Sequence, residues 1–446
     1  MSDLDTTFAS VARSMELYHR AEQVIPGATQ LISRRPTRYA YGFSPAFAQS
    51  ASGGTFTDVD GNTYIDWVSG IGAMILGYCD PVVDEAVKRQ IDTGTMYSVS
   101  HPIELELAEL LIDRVPCAEM VRFAKGGGDA CAIAIRIARG TTGKDKVLFC
   151  GYHGWHDWYL AANLAGSDLD PHLFPGIDPT GVPLALKDTA IPFPYGDVET
   201  LEDLLRTNCD DIAAIIMEPL RSEIPPHGYL KRVRELATEF NVVLIFDEVS
   251  SGFRPTISGI QPLVNVEPDM AVFAKSISNG YPMGAVVGTR AVMQPASQMF
   301  ISSTYWSDTL GIRAAITTLK EIERRKTPEV IQDTGRILKQ KVAELITKHS
   351  VPAVCGGVDW HPYIRFDIGH LTPLVNTLFI QEMAKRSIHM NLSFYINAAH
   401  GDEEVSRTIA AIDDVFLIIR NGLDAEVIPE LVDTIPQTDS FRRLVT

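Results

Sequence analysis

Five short apolar runs in this chain each release charged, aromatic or glycine residues at their C-terminal ends. MVRFA is followed by KGGGDACAIAIRIAR, KVLFC by GYHGWHD, IAAIIM by EPL, VVLIF by DEV, and MAVFA by KSISNG. Runs of this kind suit strands buried on both faces, as in a parallel sheet. Charge at the end of such a strand is costly unless something pairs with it. In an open parallel sheet, ligands bind outside the strands' C-terminal ends. Gly126 to Asp129, Tyr152, His153, Glu218, Asp247 and Lys275 are therefore expected at one cleft. Gly126, Gly127 and Gly128 stand between a strand and a helix, where backbone N–H groups and the helix terminus can close on a phosphate. The same glycines also suit a plain tight turn. They match neither G-x-G-x-x-G, since Cys131 takes the last glycine's place, nor a P-loop.

The elements that must position these residues follow from periodicity. A helix is expected over 10–25 and strands through 38–68, with a hairpin turn at Asp60-Gly61. From about 80 to 320, helices (81–93, 102–115, 129–140, 199–206, 228–240) alternate with strands (120–124, 146–150, 212–217, 242–247, 270–274, 284–288). Long helices are expected over 310–325 and 328–349, then a strand over 362–367 and helices over 373–386 and 402–421. Alternation of this kind requires crossovers and a mainly parallel sheet, an α/β fold. The expected organisation is a large domain over 76–320 and a smaller α/β domain. The N-terminal segment, 1–75, and the C-terminal part, 321–446, together build the smaller one.

Composition narrows the function. The chain has 446 residues, 46% hydrophobic and 21% charged, enough for a large core and not a disordered acidic chain. A net charge of −17 argues against a nucleic-acid partner and gives no reason to expect binding to anionic membranes. Six scattered cysteines without a C-x-x-C pair read as reduced thiols of a cytoplasmic protein. The first ten residues carry no signal-peptide pattern, and no apolar stretch reaches the roughly 20 residues that span a bilayer.

Lys275 and Asp247 carry most of the chemical meaning. A strand-end lysine can form a Schiff base with a carbonyl and shuttle protons. A pyridoxal ring needs two such groups, a lysine on its aldehyde and a carboxylate that keeps its ring nitrogen protonated. A cationic ring nitrogen would supply the pairing that a buried Asp247 requires. Tyr152 can stack on that ring or be an ordinary half-buried tyrosine. His153, His156 and Asp157 have the spacing H-x-x-H-D, but nothing near completes a metal set, so no metal is expected. His101, His361 and His400 read as structural.

Longer stretches carry a resemblance: RAEQVIPGATQ, FTDVDGNTYIDWVSGIGAMILGY, GGGDACAIAIRIARGTTGKDKV, GYHGWHD, MEPL, FDEVSSGFR, PDMAVFAKSISNGYPMGAVVG and SSTYWSDTLGIRAA. Over nearly its whole length the chain resembles class III (subgroup II) pyridoxal-phosphate-dependent aminotransferases of fold type I, nearest in pattern to the glutamate-1-semialdehyde 2,1-aminomutase branch. The resemblance implies that Lys275 is the Schiff-base lysine and Asp247 the acid on the pyridine nitrogen. It places Val249 beneath the ring, Tyr152 above it and Glu218 near its face. Gly127 and Gly128 become backbone donors to the phosphate. Thr304 would reach the phosphate of a partner chain, which implies a homodimer with shared sites. Arg34 stands where that branch binds a substrate carboxylate, with Arg35 equally reachable.

Several motifs depart from the family. The phosphate turn lacks hydroxyls, WSDT replaces S-G-N-P, SNGYPMGA replaces the usual glycine-rich segment, and Ile71-Gly72 replaces the aminomutase's Trp-Gly in the substrate channel. The expected activity is transfer of an amino group from an amino-acid donor to a carbonyl acceptor. An intramolecular aminomutase, a racemase or epimerase, and a non-catalytic protein that binds the cofactor are the alternatives.

Overall fold

The computed structural model describes residues 10–164, 177–220 and 222–437. The reading of the first ten residues as free of a leader pattern falls almost wholly outside these, as does the end of the expected C-terminal domain. The chain divides into two compact units. One runs Pro81–Glu329; the other joins the segment up to Asp80 with the stretch from Val330 on.

The N-terminal segment of the second-named unit opens with the helix Ala12–Val24 and then builds β1 (Ala48–Ser52), β2 (Thr55–Asp58) and β3 (Thr63–Asp66), an antiparallel meander. The turn between β2 and β3 is held by Asp58, whose Oδ1 accepts from the backbone N–H of Asp60 and Asn62 at 2.9 and 2.8 Å. Gly61 supplies the positive φ of 91° that this turn needs. The strands expected from residue 38 begin only at Ala48. Between them lie a short 3-10 turn at Pro36–Arg38 and a tight turn in which Phe43 and Ser44 both donate to the Ala40 carbonyl. Tyr39 and Ala40 are buried side by side rather than in strand alternation, and the Pro36 turn sets the backbone.

The unit Pro81–Glu329 holds β4 (Met120–Ala124), β5 (Lys146–Cys150), β6 (Ala190–Pro192), β7 (Ile212–Met217), β8 (Val243–Asp247), β9 (Met270–Phe273) and β10 (Gly284–Gly288). They form one seven-stranded sheet in the order β4-β10-β9-β8-β7-β5-β6. β10 runs antiparallel to both its neighbours; the other pairs are parallel, so six strands share one direction. Their C-terminal ends therefore lie along one edge. β6 is not foreshadowed in the pattern. It has three residues, ends in Pro192 and sits at the sheet margin, where a missing N–H costs least.

The helix Gly127–Thr142 covers this sheet. Its Ala130, Ile133, Ala134, Ile137 and Ala138 are buried with Ile216, Ile245 and Val272 of the strands in one apolar cluster. Each branched side chain so buried contributes roughly 1.5–3 kcal/mol. Gly143, at φ 69°, ends the helix in the left-handed region.

The C-terminal stretch carries β11 (Ala353–Gly356), β12 (Tyr363–Phe366) and β13 (Ile388–His389) with the helices Thr372–Lys385 and Asp402–Asp424. β13 joins the N-terminal meander in parallel, Ile388 beside Ile65, so the two ends of the chain complete one four-stranded sheet. Among the described residues, no helix is long and apolar enough to cross a membrane.

Candidate active site

Asp247 ends β8 and is 3% exposed. Its Oδ1 accepts from the Val249 N–H at 3.0 Å. Its Oδ2 lies 2.7 Å from His153 Nδ1 and 3.4 Å from the Cys131 thiol. His153 Nε2 lies 3.1 Å from the Cys150 carbonyl. Burial first, and then the charge of Asp247, pushes the Cys131 thiol well above its usual range. It therefore stays protonated and donates. Among the described residues, Oδ1 accepts one hydrogen bond, from the Val249 N–H, so one of its two lone-pair directions is left.

On the adjacent strand, Asp247 pairs in register with Val272, and the chain leaves β9 through Ala274 into Lys275. Lys275 has φ +51°, a left-handed backbone that is uncommon for a residue with a side chain. The surroundings hold it there. Ser276 Oγ donates to the Gly252 carbonyl at 2.7 Å, and the fully buried Arg254 donates from Nε to the Ser250 carbonyl at 3.1 Å. Lys275 Nζ donates to Ser250 Oγ at 2.9 Å.

The three glycines lead into the helix Gly127–Thr142, whose N-cap residue Gly126 makes no side-chain cap. The first-turn N–H groups are thus left for another acceptor. A Cβ on Gly127 would come 2.8 Å from Val249 Cγ1, and one on Gly154 would come 2.6 Å from Gly128 Cα. Only glycine permits this approach. Glu218 follows β7, is 5% exposed, and its Oε2 accepts from the Tyr152 N–H at 3.4 Å. The Tyr152 ring packs edge-on against Tyr159 at 5.9 Å. Burial raises the Tyr152 hydroxyl's pKa, and the nearby carboxylates of Asp247 and Glu218 add to the rise. Glu248, beside Asp247, is fully buried. Burial lifts its carboxyl to about 7, partly offset by hydrogen bonds from the Ile260 N–H and Gln261 Nε2.

The structure thus brings Gly127, Gly128, Tyr152, Glu218, Asp247, Val249 and Lys275 to one edge of one sheet. Among the described residues, no hydrogen bond joins Thr304 to them. It stands exposed at the start of the turn Thr304–Ser307. Asp308, just after, caps the next helix and pairs with Lys125, the residue before the glycines. Arg34 and Ile71 belong to the other unit. Arg34 ends an exposed 3-10 turn, and its charge reaches Tyr39 and Tyr78. Ile71, half-buried at φ 61°, lies in a run of left-handed residues.

The histidines of H-x-x-H-D diverge, since His153 faces Asp247 while His156 pairs with Asp129 at 3.2 Å. Cys131, His153 and Asp247 do bring three donor atoms within 4.8 Å, a closeness that their mutual hydrogen bonds account for. Three contacts escaped the sequence reading: His153 and Cys131 on Asp247, and Ser250 on Lys275. His153 carried a signal in its place after a strand. Cys131 and Ser250 carried none, because a helix and a turn bring them in from 116 and 25 residues away.

Comparison with known proteins now adds a second line. The family model "Aminotransferase class-III" matches residues 39–357. The 3-aminobutyryl-CoA aminotransferase of Cloacimonas acidaminovorans is 37% identical, over 93% of this chain and 99% of its own length. The glutamate-1-semialdehyde 2,1-aminomutase of Ignicoccus hospitalis is 34% identical, over 91% of this chain and 99% of its own. The pyridoxal-phosphate form of the FumI protein from Sphingopyxis sp. MTA144 superposes with a TM-score of 0.85 at 24% identity, covering 94% of this chain and 99% of that one, and shows the fold. The chain belongs to the class-III aminotransferases; it is an enzyme of fold type I and its cofactor is pyridoxal phosphate. The residues present fit that group. An uncapped helix terminus faces the glycine cradle, a buried carboxylate keeps one open acceptor direction, and a strand-end amine lies on the neighbouring strand.

Proposed function

We propose that this class-III aminotransferase moves an amino group from an amino-acid donor to a carbonyl acceptor, with Lys275 as the amine that tethers the cofactor and carries the proton. The observation that supports this most is the pairing of a buried, partly open Asp247 with a strained Lys275 on adjacent parallel strands. When bound, pyridoxal phosphate supplies an aldehyde that takes up amines and a ring that accepts the electron pair of a broken C–H bond. Asp247 would hold a proton at the ring nitrogen, while His153, Cys131 and the Val249 N–H fix the carboxylate's plane. The N–H groups at the start of the Gly127 helix bind the phosphate. Val249 and Tyr152 would orient the ring. Lys275, once displaced, takes a proton at Nζ from the donor carbon and returns it elsewhere.

The substrate class we favour carries its amine on the β carbon of an acid or thioester, after the relative named 3-aminobutyryl-CoA aminotransferase. Arg34 is the proposed partner of a substrate carboxylate and Ile71 a wall of the substrate channel. A homodimer is part of the proposal. The aromatics Trp155, Phe300 and Tyr305 are 68%, 85% and 67% exposed, and Thr304 precedes the last of them. Exposure on this scale favours a covered face. The six free cysteines favour a reducing cytoplasm. Relatives named as aminomutases sustain a second reading, in which nitrogen stays within one molecule.

A screen of α- and β-amino donors, followed by the visible spectrum of the holoenzyme, tests the first reading. Conversion by at least one donor, with the nitrogen of a ¹⁵N-labelled donor appearing in a separate acceptor, is the expected result. Nitrogen that moves only within the donor's own skeleton selects the aminomutase, and no conversion by any donor rejects both.

A further inference from the structure

Ser250 follows Val249 in the turn after β8, and its hydroxyl lies 2.9 Å from Lys275 Nζ. We infer that Ser250 is a positioning residue for Lys275, holding the amine while it carries the proton between donor and product. The inference rests on the assignment of Lys275 above and adds a residue to it.

Geometry carries the argument. The Ser250 backbone is not free to drift, because buried Arg254 donates from Nε to its carbonyl at 3.1 Å. The lysine backbone is fixed as well, at φ +51°, with the next residue's hydroxyl bonded to Gly252 in the same turn as Ser250. Two hydroxyl bonds thus stitch the turn after β8 to the turn after β9, and one of them ends on the reactive amine. A lysine side chain has four rotatable bonds and loses up to about 2 kcal/mol of rotamer entropy when held. An acceptor at its tip selects a subset of those rotamers before the reaction begins, which is worth rate rather than binding.

The chemistry asks for a hydroxyl. Lys275 Nζ takes the proton of the donor's broken C–H bond in a new N–H bond and becomes an ammonium, while a bound cofactor would accept the electron pair of that C–H bond. The same proton later leaves Nζ, and the amine is neutral again. A serine oxygen accepts from the ammonium and can donate to the neutral amine, so one side chain serves both states. A carboxylate there would hold the ammonium too firmly, and an apolar residue would hold neither state.

The test compares Ser250→Ala, Ser250→Thr and Lys275→Ala with the wild type as full-length proteins. For the holoenzymes, the first half-reaction is followed in a single turnover with a donor and with its deuterated analogue at the carbon bearing the amine. Ser250→Ala is expected to slow it about tenfold, with KM changed less than threefold and a larger deuterium isotope effect. Ser250→Thr restores most of the rate. In the cofactor-free proteins, labelling of Lys275 by an amine reagent, read by peptide mass, rises at least threefold in Ser250→Ala and stays at the wild-type level in Ser250→Thr. An unchanged rate and unchanged labelling in Ser250→Ala overturn the inference, as does a rate loss explained wholly by weaker cofactor retention. If Lys275→Ala keeps the wild-type half-reaction, the assignment of the lysine fails instead, whatever Ser250 does.

Discussion

Each compact unit buries a polar cluster near a strained stretch of backbone, and the two are finished differently. In the unit formed by the chain ends, Asp66 accepts from the Val68 N–H at 2.9 Å and the Tyr78 hydroxyl at 2.6 Å. Ser69 Oγ donates to the Tyr395 carbonyl at 2.6 Å and accepts from Asn397 Nδ2 at 3.0 Å. His400 accepts at Nδ1 from the Asn397 N–H and donates from Nε2 to the Asp66 carbonyl. The network closes on itself, and what it secures is backbone. Ser69, Gly70, Ile71 and Gly72 stand in succession at φ 49°, 59°, 61° and 76°, a left-handed run that costs roughly 1–2 kcal/mol for each side-chain-bearing residue. In the unit Pro81–Glu329, among the described residues, the cluster around Asp247 leaves one acceptor direction open on Oδ1, and the nearby Lys275 amine donates to the Ser250 hydroxyl. Closed networks hold shape; an open one holds a ligand.

Substitutions can break that contrast. The largest effect is expected from Asp247→Asn, which keeps the shape and removes the charge. The first half-reaction should slow about 10²–10³-fold with an unchanged far-UV CD spectrum. A loss under tenfold would put Asp247 among the structural groups. Ser69→Ala should act the other way. It strands Asn397 Nδ2 in the interior and costs about 1–3 kcal/mol in urea denaturation. Its half-reaction rate should stay within tenfold of wild type; a greater change would erase the distinction between the clusters.

The pH dependence of stability should also differ in sign between the units. Burial lowers the His400 pKa from 6.5 to about 3. Below 6.5 the unfolded chain binds a proton that folded His400 refuses, so this contribution is lost as pH falls from 6.5 towards 3. Glu248 is the reverse, raised from 4.5 to about 7, so its contribution is present below 4.5 and lost as pH rises to about 7. Between 4.5 and 6.5 the two oppose each other. Urea midpoints across this range should lose their acid slope in His400→Gln and their decline towards neutrality in Glu248→Gln. An unaltered profile in either variant removes that residue from the account. The smallest effect is expected from Cys131→Ala, about threefold or less on the half-reaction. A thiol is a weak donor, and His153 and Val249 still hold the carboxylate. A hundredfold loss would promote Cys131 to an essential partner of Asp247.

Much of this sheet edge was legible because β7, β8 and β9 are unbroken apolar runs followed by charge, and burial on both faces leaves no other reading for them. The antiparallel β10 and the edge strand β6 were less so, since direction and a three-residue length leave no periodic mark. The strands expected across residues 38–47 are turns, with Phe43 and Ser44 both bonded to the Ala40 carbonyl and buried residues in adjacent pairs. Site residues on strand ends could be read one by one. Their partners could not, because Cys131 reaches Asp247 from 116 residues away and His153 from 94, and only packing sets those contacts.

The central claim is that Lys275 bears the cofactor. Borohydride treatment of the holoenzyme, digestion and peptide mass mapping test it most directly. A reduced pyridoxyl group on Lys275, lost together with the visible absorbance in Lys275→Ala, is the predicted result. A pyridoxyl group on another lysine, or a coloured holoenzyme that borohydride leaves unlabelled, would contradict it.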